Sequence, residues 1–273
     1  MQKLQAANES IQIPEGFVAE DKEQALRMVE WFHAQGKSSV LKANYGESGW
    51  GLIMVPLERY SDVATLREQV RGMMDADPVW ENTLIVVEEF IIPDINADGG
   101  SPSSELYVDE GGGYITYHCG QFLDSQGGFL GVEIGKDAFA QPLINRLERA
   151  SSIIGERYHA LGYRGYFDID FIINQEGHLY VVETNTRRTG GTHVYDLARH
   201  LFGEQWSEET YLLSHDLFRY GSQVFASEEL LAKLQPILYP INGEKKGIIV
   251  TLVNPWDPLM GYIAIVSNKL QGR

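Results

Sequence analysis

The stretch from Tyr166 to His193, YFDIDFIINQEGHLYVVETNTRRTGGTH, constrains this 273-residue chain more than any other. Two short apolar runs, 167–173 and 179–182, flank Asn174-Gln175-Glu176-Gly177, a spacing that predicts a β-hairpin with a four-residue loop. Side chains alternate along a strand, so Phe167, Ile169, Phe171 and Ile173 share one face. The other face carries Asp168 and Asp170 and, across the hairpin, Glu183 and Asn185. Pairing Ile173 with His178 sets Asp168 opposite Glu183, with Asp170 one diagonal step away. Like charges opposed across two strands are destabilising, and a hard cation with oxygen ligands is the commonest reason to crowd them. Asn185 adds a neutral oxygen at the same edge. Arg187 and Arg188 follow at once, where they can neutralise phosphate or a developing anion. A solvated polar face would account for the acids alone. The order of parts (acid, turn, acid-x-Asn-x-Arg-Arg, glycine pair) favours a metal and phosphate site.

Charge narrows the choice of partner. A formal net charge of -16 argues against nucleic acid or an anionic membrane surface, since both require a basic footprint. The single cysteine, Cys119, excludes an intrachain disulfide and a Cys-rich zinc site. No signal peptide is visible, and the apolar run 247–253 is strand-sized and far short of a span, so the expected location is the cytoplasm.

Before the hairpin, Asp21 is placed to cap a helix whose stripe Ala25, Leu26, Val29 and Phe32 stops at Gly36. A strand at 40–43 leads into Asn44-Tyr45-Gly46-Glu47-Ser48-Gly49-Trp50-Gly51, and a second strand resumes at 52–57. Strand, glycine-rich loop, strand is neither a Walker loop nor a Rossmann turn, both of which open a helix. A hairpin rich in backbone N–H groups with Lys42 at its base suits a lid over nucleotide phosphates. A mobile surface hairpin with Lys42 as a solvated charge is the alternative. Ser61 is expected to cap a helix with Val63, Leu66, Val70 and Met73 on one side.

The near-continuous apolar run 83–92 predicts a buried strand, interrupted by Glu88 and Glu89 before Phe90-Ile91. Its end either presents backbone groups to an adenine ring or simply reaches solvent. A Gly/Asp/Ser/Pro linker spans 93–104, and 105–109 with 114–119 reads as another hairpin around three glycines. His118 and Cys119 lack a third partner and are read as core or strand-end residues rather than a nucleophilic pair. A helix is expected over 142–161. After the central hairpin Thr192 is expected to cap a helix ending at Gly203, so the N–H groups around Gly190, Gly191 and Thr192 either receive an anionic group or form only a capped turn. Ser207 and Ser227 are expected caps of two more helices, with closing strands at 248–253 and 262–266.

Together these parts resemble the ATP-grasp superfamily: Lys42 leading into Gly46–Gly51, then Glu88-Glu89-Phe90-Ile91, then Asp170 followed by Glu183-Thr184-Asn185. The spacing from Asp170 to Glu183 is of the kind D-alanine:D-alanine ligases show, which selects Asp170 over Asp168. More narrowly, the run from Glu183 to His193 resembles the peptide-ligase branch related to the pheganomycin ligase.

The resemblance implies an α/β (α+β) fold of two subdomains, with antiparallel sheets and flanking helices that clasp ATP. It divides the chain into an N-terminal lid subdomain (1–92), a subdomain with the metal and phosphate site (93–205) and a C-terminal extension (206–273). Lys42 would contact the α and β phosphates, and Ser48 with Gly49 would close over the γ-phosphate. The backbone at Glu88, Glu89, Phe90 and Ile91 would hold adenine, and Glu105 the ribose hydroxyls. Asp170, Glu183 and Asn185 would hold Mg²⁺. Arg187 would stabilise an acyl phosphate, while Arg188, Thr189, Gly190 and His193 would face an amino-acid or peptide substrate.

The expected activity is ATP-dependent carboxylate–amine ligation. A nucleotide-binding module that regulates or assembles without catalysing is the alternative. Most such ligases carry a preceding α/β domain, for which the residues before Lys42 are too few. A longer protein or a partner subunit would then complete the substrate wall.

Overall fold

The computed structural model describes residues 2–3, 11–47, 50–94, 96–97, 101–124 and 127–267. In chain order the strands are β1 (Gln2–Lys3), β2 (Gly16–Ala19), β3 (Ser39–Glu47), β4 (Trp50–Val55), β5 (Ile85–Glu89), β6 (Pro102–Val108), β7 (Gly113–Leu123), β8 (Phe129–Gly135), β9 (Gly165–Ile173), β10 (Leu179–Asn185), β11 (Tyr211–Arg219), β12 (Gly247–Val253) and β13 (Leu259–Val266). The helices are α1 (Lys22–Ala34), α2 (Val63–Asp75), α3 (Gln141–Ala160), α4 (Thr192–Phe202), α5 (Trp206–Glu209) and α6 (Ser227–Leu234). They build two antiparallel sheets, one of five strands ordered β1-β2-β5-β3-β4 and one of eight ordered β10-β9-β6-β7-β8-β11-β13-β12.

Helices α1 and α2 cover the smaller sheet because each carries an apolar stripe at helical spacing. Ala25, Leu26, Val29 and Phe32 from α1 and Leu66, Val70 and Met74 from α2 meet Leu41, Ile53, Val55, Ile85 and Val87. Each large side chain fully buried this way contributes about 1.5–3 kcal/mol. Asp21 caps α1 as its position predicts, its carboxylate accepting from the Gln24 N–H. The α2 cap is Asp62 rather than Ser61: its carboxylate is the better acceptor, and it takes the Thr65 N–H. That helix buries Met74 instead of Met73 and leaves Val63 exposed. The buried strand is also shorter than its apolar run, Ile85–Glu89, with Leu84 exposed.

The larger sheet separates two environments. On one face α3 packs Leu143, Leu147 and Ile154 against Leu106, Phe167, Ile169, Phe171 and Ile173. On the other, α4 packs Val194 and Ala198 against Tyr117, Cys119, Val132, Ile134 and Leu212. The strands expected to form a separate C-terminal extension do not stand apart: β11, β13 and β12 continue the same sheet outward from β8. Unpaired strand edges are a liability that pairing removes, and without β11 the long β8 edge would stand open. The expected caps Ser207 and Ser227 lie two residues and one residue after the observed cap positions, Gln205 and Ala226.

The hairpin register differs from the expected one. Leu179, not His178, pairs with Ile173, because the loop holds five residues closed by the Asn174 N–H to the His178 carbonyl. A bulge at Val182 then shifts the pairing, so that Glu183 lies opposite Asp170 and Asn185 opposite Asp168. The predicted faces survive. Phe167, Ile169, Phe171 and Ile173 are buried against α3, and the acids point the other way.

Candidate active site

Between the two sheets lies a cleft of about 620 Å³. The smaller sheet supplies Val40, Lys42, Met54 and the strand end from Glu88 to Ile91. The larger supplies Ser103, Cys119, Gln121, Asp168, Asp170, Glu183 and Asn185, with Arg187 and Thr189–Gly191 following β10.

Lys42 ties the two sides together. Its ammonium is 2.7 Å from a Glu88 carboxylate oxygen within its own sheet and donates across the cleft to the Val182 carbonyl at 2.7 Å. Val182 is the bulged residue of β10, so its carbonyl is turned out of the regular ladder and available to this donor. Glu88 is 6% exposed, and at that burial a carboxylate is tolerated because the lysine pairs with it.

The acids beneath are held by a polar lattice. Asp170 accepts from the Gln121 amide at 2.6 Å and from the Asn185 amide at 3.1 Å. Asp168 accepts from the Ser103 hydroxyl and from the Asn185 backbone N–H, both at 3.2 Å. Burial, reinforced by Asp170, pushes the Asp168 carboxyl above the usual carboxylate range, and burial with Glu183 opposite does the same to Asp170. Three acids in one corner with this electrostatic stress make a receptor for positive charge.

Among the described residues no three His, Cys, Asp or Glu side chains are arranged to hold a metal ion by themselves. Mg²⁺ does not require such a cage, because it is usually held by one or two carboxylates plus phosphate oxygens and water. The directly opposed Asp170 and Glu183, with the Asn185 amide beside them, fit that partial donor set.

The strand end expected to meet a flat heterocycle also lines the cleft. There the Glu89 N–H is spent on the Glu15 carbonyl and the Phe90 N–H on the Ser38 carbonyl, while the Glu89 carboxylate pairs with Lys37 at 2.8 Å. In the lid, a Cβ on Gly46 would lie 2.5 Å from the Trp50 carbonyl, and Gly51 has φ +79°, so both positions need glycine. Ser48 and Gly49 lie outside the described residues.

Glu105 does not face a ribose. It is 1% exposed and absent from the cleft wall, with Oε2 accepting from the hydroxyls of Tyr117 (2.9 Å) and Thr189 (2.7 Å) and Oε1 from Thr192 (2.8 Å). Its register between Asp168 and Tyr117 points it toward the start of α4, under the loop after β10. Thr192 therefore spends its hydroxyl on Glu105, and the α4 cap position is Gly191. This anchor draws the loop against the wall so tightly that a Cβ on Gly190 would meet the Phe129 ring at 2.5 Å and one on Gly191 the Tyr117 hydroxyl at 2.7 Å.

Thr189 and Gly190 accordingly line the cleft, and Arg187 does too. Arg188 does not: it pairs with Asp196 at 2.9 Å and lies over the Tyr166 ring at 4.4 Å, so its charge is used outside the site. His193 sits exposed on the first turn of α4, off the cleft wall. Ser103, Gln121 and Asp216 belong to the wall although nothing in their local sequence marks them, since only sheet pairing brings their strands together. Cys119 also lines it, its thiol pushed well up by burial, which agrees with its reading as a core residue.

No family model matches the chain. A segment of 159 residues, 55% of the chain, is 30% identical to L-propargylglycine--L-glutamate ligase of Streptantibioticus cattleyicolor and spans 30% of that protein. The biotin carboxylase domain of Hydrogenobacter thermophilus 2-oxoglutarate carboxylase, solved with MgADP and bicarbonate, superposes with a TM-score of 0.62 at 15% identity. That match covers 94% of this chain and 58% of the other. Biotin carboxylase from Campylobacter jejuni, solved as a β,γ-ATP complex, superposes with a TM-score of 0.65 at 12% identity, covering 95% and 60%.

Proposed function

We propose that this chain, which has the ATP-grasp fold, is an ATP-dependent ligase joining a carboxylate to an amine through an acyl phosphate. One observation carries the reading: Asp170 faces Glu183 across two strands, and a lysine from the opposite sheet reaches the carbonyl of Val182, the residue next to Glu183. The relatives solved with MgADP and with an ATP ligand support ATP and Mg²⁺ as the bound species, and the similarity to an amino-acid ligase supports amide formation.

Mg²⁺, held by Asp170, Glu183 and Asn185, would offset charge on the β- and γ-phosphate oxygens. Lys42, fixed between Glu88 and the Val182 carbonyl, directs its remaining donor toward the α and β phosphates. With the Glu89 and Phe90 N–H groups engaged, the adenine edge is met at Ile91. A substrate carboxylate oxygen attacks the γ-phosphorus as the bond to ADP breaks. An amine nitrogen then attacks the acyl carbon, phosphate leaves and the nitrogen gives up a proton. Arg187, on the cleft wall after β10, stabilises the anionic oxygens of both steps. No protein nucleophile is needed, so catalysis rests on positioning and charge.

The test is ADP release from MgATP in the presence of amino-acid mixtures, with hydroxylamine added to trap the activated carboxylate as a hydroxamate. Amino-acid-dependent ADP release with hydroxamate formation is expected. Nucleotide binding without turnover under every mixture would refute the ligase assignment and favour a regulatory module.

A further inference from the structure

We propose that Asp216 is the recognition group for a substrate ammonium, so that the ligand at the far end of the cleft is a free amino acid or a peptide with a free amino terminus. The inference rests on the ligase reading and names the substrate class of the same site.

Asp216 lies on β11 at a break in the pairing with β13: His215 pairs with Tyr262 and Phe218 with Met260, leaving Asp216 and Leu217 at an irregularity. Bulges beside active sites commonly re-aim a side chain, and here the carboxylate lines the cleft although its strand is the sixth from the β10 edge. At about 4.8 Å per strand, the five gaps from β10 to β11 place Asp216 roughly 24 Å along the sheet from Glu183. That is room enough for nucleotide phosphates at one end and a second ligand at the other. The loop after β10 crosses part of this distance, with Arg187 on the cleft wall and Gly190 against Phe129 of β8.

Among the described residues the Asp216 carboxylate accepts no hydrogen bond and forms no ion pair; His193 and His215 are the titratable neighbours that bear on it. A half-buried carboxylate without a donor is costly unless a cation is brought to it. A metal is a poor candidate, because Asp216, His193 and His215 do not converge on a shared position. An ammonium group supplies one charge and three donors in a small volume. Phe129 and Val132 of β8, the strand paired with β11, line the same cleft and offer an apolar surface for the carbon next to that group. Arg187, on the same wall after β10, leaves the cleft with a cation nearer the phosphate side and an anion at Asp216.

The experiment measures ADP release from MgATP with the twenty common L-amino acids and with their N-acetyl derivatives, together with direct titration of MgATP. Free amino acids should drive release and the acetylated set should not. Asp216→Asn should raise KM for the most active amino acid at least tenfold while the MgATP dissociation constant stays within twofold. Asp216→Glu should recover part of the loss. Equal KM values in the two proteins, or equal release with the acetylated set, overturns the assignment of Asp216, whereas no amino-acid-dependent release from a chain that binds MgATP overturns the ligase reading and this one with it. Failure of the unaltered chain to bind MgATP overturns the nucleotide reading and this one with it.

Discussion

The ammonium of Lys42 and the carbonyl of Val182 are 2.7 Å apart, although they belong to different sheets and stand 140 residues apart in sequence. One side chain thus reads the bulge that sets Glu183 opposite Asp170. The spacing between the two sheets and the arrangement of the acids are consequently linked through a single hydrogen bond.

Replacing Lys42 by Met should weaken MgATP binding at least tenfold and also lower stability, because Glu88 is left buried without its partner. Removing one member of a buried pair costs up to about 3–5 kcal/mol, and the partial exposure of Lys42 places this case at or below the lower end. Adding Glu88→Gln should restore much of the melting temperature without restoring nucleotide affinity. Thermal denaturation and isothermal titration on the three proteins separate the two effects.

Much of this was legible from residues alone. Strand alternation located the two faces of the hairpin, and Asp21 and Phe32 followed from capping and helical periodicity. The register did not, since a bulge at Val182 adds a residue that no pattern announces. Gln121 and Asp216 were hidden for a different reason: membership of the wall depends on the order β9-β6-β7-β8-β11, which is a property of long-range pairing. Glu105 misled because an acid opening a strand looks the same whether it faces a ligand or three internal hydroxyls.

Glu105→Gln should disturb the substrate end more than the nucleotide end. A neutral amide cannot accept from all three hydroxyls, and losing such bonds costs about 1–3 kcal/mol. The loop from Thr189 to Thr192 would loosen from its wall. The expected result is a several-fold rise in KM for the carboxylate or amine substrate with KM for ATP nearly unchanged, measured by steady-state ADP release. Equal effects on both would point to general destabilisation.

The raised Asp168 carboxyl makes stability pH-dependent. Its folded value lies above its unfolded one, so the stabilisation it contributes is full below about pH 4 and is lost as pH climbs through the raised value. Without metal, the melting temperature should therefore fall as pH rises from acid toward neutral and beyond. Asp168→Asn should flatten this slope, and saturating MgATP should do so in the unaltered chain. Melting curves across that range with and without MgATP would reveal it.

Isothermal titration of ATP, with and without Mg²⁺, into the unaltered chain and into the Asp170→Asn/Glu183→Gln double variant tests the opposed-acid site most directly. Mg²⁺ should strengthen ATP binding at least tenfold in the former and little or not at all in the latter, whose metal-free affinity should be unchanged or higher because like charge has been removed. An undiminished Mg²⁺ effect in the double variant would contradict the opposed-acid site.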